Sequence, residues 1–298
     1  MRRSRYNFGM RNITTIIILL GFVSVSAANE TRIGTLQSSY YIDDVSLVNN
    51  IISLMPNYSN QLYGDLAGKS TDGGIFLSRN PRCGTFGVTM DDHIMLGYGR
   101  TVRNLDVALG FKPSGQYWMG SVGIGRSFFT RRIDLASNIK LNQDTDEHIL
   151  EFILRLKGKK NDWTFVPAYS LAIVNGAAAD PEFMTHRIGL SLQRSLLEDG
   201  LVYVIGHYDK MTGDLDQGEI AVTGGVEMRL GQVFGFRCGV SQAVDDKLET
   251  YQPVVFTPGL RATFGDFDFD FFVNRAWPFQ DDEKLLVGAG VDFKFDRY

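Results

Sequence analysis

The most constraining feature of the chain is a two-residue period, interrupted at short turn-forming segments, that dominates its C-terminal half. Leu285, Val287, Ala289, Val291, Phe293 and Phe295 fall on one face, and Gly288, Gly290, Asp292, Lys294 and Asp296 on the other. Just upstream, Gly265-Asp266 separates two more alternating runs. A two-residue hairpin there sets Phe264 opposite Phe267, Ala262 opposite Phe269 and Leu260 opposite Phe271, with Arg261 facing Asp270 and Thr263 facing Asp268. Apolar residues then meet apolar residues and the cation meets an anion, whereas a slip of one residue would mix the two faces. A three-residue turn at Gly231 to Val233 likewise sets Glu227 opposite Arg237.

The same alternation recurs around Trp163 to Ile173, Arg187 to Gln193, Leu150 to Lys157 and Asp106 to Lys112. Composition agrees. The chain has 298 residues, 44% hydrophobic and 21% charged, with 32 glycines and 12% aromatics, which suits an all-β protein rich in turns. Two all-β architectures alternate in this way: a soluble sandwich and a transmembrane barrel. Runs of ten or more residues, charges of both signs in mid-strand on one face and an uninterrupted apolar opposite face favour the barrel. Pro167 and Pro258, each inside a run, weigh toward the sandwich, because a proline removes a ladder donor.

The expectation is an antiparallel up-and-down transmembrane β-barrel of about 14 strands, with 12 as the alternative. Connections at Gly265-Asp266, Gly231 to Val233, Asp199-Gly200 and Pro113 to Gly115 read as short turns. Those at Asn175 to Glu182, Asp209 to Gln217, Val244 to Gln252, Pro278 to Lys284 and, longest, Arg131 to Glu147 read as loops of the opposite rim.

Three units follow. Residues 1–27 read as a signal peptide: Arg2, Arg3, Arg5 and Arg11 precede an apolar run ending in Val25-Ser26-Ala27. Cleavage there leaves 26 basic against 34 acidic residues, a net charge of −8, which argues against nucleic acid as a partner. Residues 28–72 lack alternation. Val45, Leu47, Val48, Ile51, Ile52 and Leu54 have helical spacing after Asp43-Asp44, and Pro56 ends the run. This segment is either a plug in the lumen or a periplasmic cap. Residues 73–298 form the barrel.

Chemistry is sparse. His93, His148, His186 and His207 are scattered, with neither an HExxH pair nor a GxSxG elbow, so no enzyme, metal or cofactor is expected. Gly120, Gly123 and Gly125 read as strand glycines rather than a phosphate loop. Cys83 and Cys238 exclude a disulfide-built scaffold, and the apolar strand face around Cys238 favours an ordinary thiol. The candidate functional residues are the charges of the polar face, which would line the lumen: Lys112, Glu151, Arg155, Arg187, Glu227, Arg237, Arg261, Asp268 and Asp270. They suit a channel or carrier for small solutes, or equally a closed, salt-bridged structural or secretion-associated barrel that binds proteins.

Taken together, a signal peptide, a short helical segment and about 14 alternating strands resemble the FadL/PorV-type outer-membrane proteins. The resemblance implies a bacterial outer-membrane location and a carrier role extending to hydrophobic compounds. Outer-membrane lipids and the barrel assembly machinery are then the expected partners.

Overall fold

The computed structural model describes residues 40–42, 44–67, 70–78, 83–90, 94–113, 117–142, 148–175, 183–196, 200–213, 216–277 and 286–294. The expected signal peptide lies outside them. Sixteen antiparallel strands close into one barrel, each paired with its sequence neighbour, and the first also pairs with the last. They are β1 (Gln61–Ala67), β2 (Ser70–Leu77), β3 (Thr85–Met90), β4 (Ile94–Val102), β5 (Leu105–Pro113), β6 (Tyr117–Phe128), β7 (Arg131–Asn142) and β8 (His148–Lys160). The second half comprises β9 (Trp163–Asn175), β10 (Phe183–Leu196), β11 (Gly200–Gly213), β12 (Gln217–Leu230), β13 (Phe234–Asp245), β14 (Val254–Phe264), β15 (Phe267–Trp277) and β16 (Leu286–Lys294). Among the described residues, no helix is long and apolar enough to cross a membrane.

The expected registers are present. Phe264 faces Phe267, Ala262 faces Phe269, Leu260 faces Phe271, Arg261 faces Asp270 and Thr263 faces Asp268, and Glu227 faces Arg237. Apolar side chains of the alternating runs point outward and stay exposed, including Phe271 at 53%. Their polar neighbours turn inward. Both strand prolines are accommodated by a local lapse in one ladder. Pro167 pairs with Leu190 of β10, but the β8–β9 register skips from Arg155↔Ala168 to Gly158↔Phe165. Pro258 pairs with Cys238, while the β14–β15 register skips from Phe256↔Arg275 to Gly259↔Phe272. A missing N–H costs little where no partner is required.

Six expectations are corrected. The strand count is 16, not about 14 or 12, and the barrel begins at Gln61 rather than at residue 73. The missed opening strands are polar and glycine-rich, notably Ser70-Thr71-Asp72-Gly73-Gly74, so their outward face is faint in the sequence. The segment Arg131 to Glu147 is not the longest loop, because its first twelve residues form β7, hairpinned to β6 through Phe129-Thr130. Outward Ile133, Leu135, Ile139 and Leu141 alternate with inward Arg132, Asp134 and Asn138 along it. Asp209 to Gln217 is mostly strand, and Pro113 to Gly115 sits on the rim opposite the short turns. Finally, residues 45–54 form no single α-helix. Two 3-10 helices, Val45–Asn49 and Ile52–Tyr58, take their place, with Pro56 inside the second.

The rim where the chain enters β1 carries the tight turns 103–104, 129–130, 161–162, 231–233 and 265–266. Arg103, Asn104, Phe129, Asn161, Gly231 and Gly265 adopt positive φ there. Asn and Gly tolerate this region, whereas Arg103 and Phe129, both at φ 50, are strained exceptions. The same rim also carries the longer β2–β3 connection; the opposite rim carries the long β7–β8, β9–β10, β13–β14 and β15–β16 connections together with the short ones of β1–β2, β3–β4, β5–β6 and β11–β12. The free thiols Cys83 and Cys238 are exposed and half-buried respectively.

Candidate functional site

The inner wall divides into two regions. Along β1–β8 it is covered by residues 40–42 and 44–59. Leu47, Val48, Ile51, Ile52, Leu54 and Met55 are buried against Tyr63, Phe76, Met95, Ala108, Ala136 and Ile153 of the wall. At roughly 1.5–3 kcal/mol for each fully buried aliphatic side chain, this packing is the main force holding the segment in the barrel. The wall makes room by omitting side chains. A methyl group at Gly123 would lie 2.6 Å from the backbone nitrogen of Ser53, and one at Gly97 would overlap Met55. A smaller apolar contact joins Tyr41 and Ile42 to Ala168, Tyr203 and Ile205.

Wall side chains also grip the segment by its backbone. Arg155 Nε donates to the Tyr40 carbonyl at 2.7 Å and Gln193 Nε2 to the Tyr41 carbonyl at 2.6 Å. Asn138 Nδ2 donates to the Asn50 carbonyl and Arg132 to the Ser53 carbonyl, both at 3.2 Å. Ser53 Oγ in turn donates to Asp134 at 3.0 Å. Behind these contacts lies a buried ion network. Arg132 bridges Asp106 at 2.7 Å and Asp134 at 2.8 Å, and Arg155 lies 3.6 Å from the second oxygen of Asp134. The Tyr40 hydroxyl donates to Glu151 at 3.1 Å, and its ring lies under Arg187, which pairs with Asp209. Burial, reinforced by the Glu151 charge, holds the Tyr40 phenol well above its ordinary range, and burial pushes Tyr41 up to about 12.

Along β12–β15 the inward charges pair with one another instead. Arg237 meets Glu227 at 3.0 Å and Asp270 at 2.8 Å. Arg261 meets Asp268 at 2.8 Å and approaches Glu227 at 3.6 Å and Asp270 at 3.8 Å. Glu227, Arg237, Arg261 and Asp268, with Thr263, border a cavity of about 220 Å³ near the short-turn rim.

The structure therefore brings Glu227, Arg237, Arg261, Asp268 and Asp270 into one cluster. It gathers Glu151, Arg155 and Arg187 around Tyr40, and leaves Lys112 buried near the far end of β5. Sequence reasoning put Asp106 on the polar face without counting it among the lumen candidates, and missed Arg132, Asp134 and Asp209 as inward charges and Tyr40, Tyr41, Ser53 and Gln193 as contacts. Strand parity alone could have found Arg132, Asp134 and Asp209. The backbone grips leave no mark in a sequence. Among the described residues, no group of three or more His, Cys, Asp or Glu could hold a metal ion.

Neither a family model nor a curated protein matches the chain. Solved structures do. A loop-deletion mutant of OmpT, an outer membrane protein of Vibrio cholerae, superposes with a TM-score of 0.55 at 8% identity, covering 79% of this chain and 97% of that one. A bacterial polysaccharide outer membrane secretin gives 0.53 at 11% identity, with 79% and 97% covered. CdiB from Acinetobacter baumannii gives 0.51 at 10%, and 79% of this chain aligns with 59% of that one. The fold is that of bacterial outer-membrane β-barrels.

Proposed function

We propose that the protein is an exported bacterial outer-membrane barrel that passes small solutes under the control of its internal segment, and that it is not an enzyme. The supporting observation is the division of the inner wall. Residues 40–42 and 44–59 fill the β1–β8 side, while β12–β15 keeps a self-paired, charged lining around a cavity. Both signs are present in that lining, which suits weakly selective passage of small polar or zwitterionic solutes more than hydrophobic ones. The 16-strand closure departs from the FadL/PorV-type resemblance, so the reading does not rest on that family. With the short turns on the periplasmic side, as in bacterial barrels, residues 40–59 enter from the periplasm. Outer-membrane lipids and the barrel assembly machinery are its partners in this reading.

The test is planar-bilayer conductance of the mature chain and of a variant lacking residues 40–59. Low conductance in the mature chain and a large, steady conductance in the variant are expected. A variant that folds yet stays closed would favour the structural or secretion-associated reading instead.

A further inference from the structure

At the short-turn rim, the outward face of β6–β10 carries a cluster of cations, with Arg100 of β4 outward and exposed at the same rim. Arg126, Arg131, Lys160 and Arg194 all point outward and are exposed. They are organised by strand register. Lys160 lies opposite Trp163 and Trp163 opposite Arg194, so a cation, an indole and a cation share one rung. The Arg194 guanidinium sits 5.5 Å from the Trp163 ring centre. On the neighbouring hairpin Arg131 faces Phe128, and Arg126 stacks on that same ring at 4.4 Å. Between the two groups Gly158 lies opposite both Arg131 and Phe165. A side chain at Gly158 would meet nothing within 4 Å, so the surface is notched there.

These cations are uncommitted. Among the described residues none of the four forms an ion pair. Among the described residues, β12–β16 turns outward Leu230, Phe234, Phe264, Phe267 and Phe293 at the same rim. Solubility cannot explain four cations on one sector of a lipid-facing belt. Toward mid-strand on β6–β9 lies a depression of about 300 Å³, lined by Val122, Ile124, Leu135, Phe152, Leu154 and Tyr169. Leu135 is four residues along β7 from Arg131, roughly 13 Å at the rise of a strand. A polar head anchored at the cations would therefore lay its acyl chain over this groove. Phe129, fully exposed at the tip of the β6–β7 turn, extends the apolar surface beyond the cations.

We propose that this face is a binding site for an anionic phospholipid, with its phosphate in the Gly158 notch between Arg131 and Lys160 and an acyl chain in the groove. Guanidinium groups pair with phosphate oxygens in a directional, bidentate way that bulk interfacial lysines do not. The aromatic rings fix the depth of the cations at headgroup level. The inference rests on the membrane-spanning reading, so the experiment checks that reading separately.

The mature chain is refolded in phosphatidylcholine, and heat-modifiable migration establishes the membrane fold without reference to lipid charge. Native mass spectrometry from micelles doped with phosphatidylglycerol then reads bound lipid. Retained phosphatidylglycerol in preference to phosphatidylcholine is expected. The combined Arg126→Gln, Arg131→Gln, Lys160→Gln and Arg194→Gln variant should lose roughly tenfold or more in that preference, given what each interfacial cation contributes. Gly158→Leu keeps every charge but fills the notch, and should weaken binding by itself. It decides the matter if the fourfold variant does not fold. Lys247→Gln, at the opposite rim, should leave the preference unchanged. A folded wild-type chain that holds both lipids equally, or a folded fourfold or Gly158→Leu variant that binds like wild type, overturns the site.

Discussion

The β6–β8 wall and the β12–β15 wall are both built from long strands with inward charges, yet they use those charges differently. On β6–β8, Arg132, Asp134 and Arg155 are spent on a separate segment, orienting donors at the carbonyls of Tyr40 and Ser53 and receiving the Ser53 hydroxyl. On β12–β15, Glu227, Arg237, Arg261, Asp268 and Asp270 neutralise one another across adjacent strands. The outer surfaces differ in the opposite sense, cationic at the rim of β6–β10 and aromatic at the rim of β12–β16. The lesson is that inward parity in a barrel identifies where charges point but not what they serve. A charge paired through strand register stabilises the wall. A charge aimed at a foreign backbone positions another segment of the chain.

Removing residues 40–59 is the strongest way to break this contrast. The β6–β8 charges would lose their contacts to the segment, keeping the pairs among Asp106, Arg132, Asp134 and Arg155, and the lumen would open, whereas the β12–β15 cluster would keep its distances. A jump from a nearly closed to a steadily conducting state in planar bilayers is the expected outcome. Next in size is Asp134→Asn. Asp134 is fully buried and faces two guanidinium groups, so its neutralisation strands buried positive charge at a cost of about 3–5 kcal/mol. Asp268→Asn, on the more open wall, should cost ~1 kcal/mol or less. Urea unfolding in lipid vesicles compares the two, and equal losses would erase the distinction between the walls.

The lipid-facing side of β15 gives a third comparison. Phe271 is exposed and stands five residues into the strand from the short-turn rim, while its neighbour Asp270 is buried in the Arg237–Arg261 cluster. Phe271→Arg should destabilise the barrel by about 2–4 kcal/mol, the penalty of a cation on the lipid face near mid-bilayer. Asp270→Asn should cost less, because Glu227 and Asp268 remain to balance Arg237 and Arg261, and it should shift any ion preference toward anions. A mild Phe271→Arg variant would mean that this strand does not face lipid.

Much of this architecture was readable beforehand, and the division between legible and illegible is physical. The β14–β15 and β12–β13 hairpins were legible down to the residue pair, because two strong faces and a short turn permit one register. β1 and β2 were not, because runs such as Ser70 to Gly74 offer no apolar face to count. β7 does alternate, with Ile133, Leu135, Ile139 and Leu141 outward against Arg132, Asp134 and Asn138 inward, so parity could have found it; its high polar content reads as a loop only when that parity is not counted. The apolar spacing of Val45 to Leu54 correctly signalled burial but not the helix type, as Pro56 and the close inner wall accept two short 3-10 turns in place of an α-helix. Parity found Arg155 and Glu151 as inward, but nothing local could show that Arg155 would hold the Tyr40 carbonyl from 115 positions away.

The smallest expected effect concerns the grip at Tyr41. Its ring is buried beside Ala168, Tyr203 and Ile205, and its carbonyl accepts from Gln193. Burial raises the phenol from its ordinary 10.0 to about 12, so the folded chain favours the protonated form. The sign follows directly. Below pH 10 folded and unfolded chains both keep the proton, and the contact contributes fully. Between pH 10 and about 12 the unfolded chain releases its proton while the folded chain retains it, so stability falls as pH rises. Midway through that range, near pH 11, the loss should be of order 1 kcal/mol. Other tyrosines titrate in the same range, so the measurement is a difference: urea midpoints of wild type and Tyr41→Phe across pH 9 to 12. The gap between them should change by about that amount, in favour of Tyr41→Phe at the alkaline end. Parallel curves would mean that Tyr41 reaches solvent, and that the internal segment is held by its 3-10 turns and the β6–β8 charges without help from the β10–β11 side.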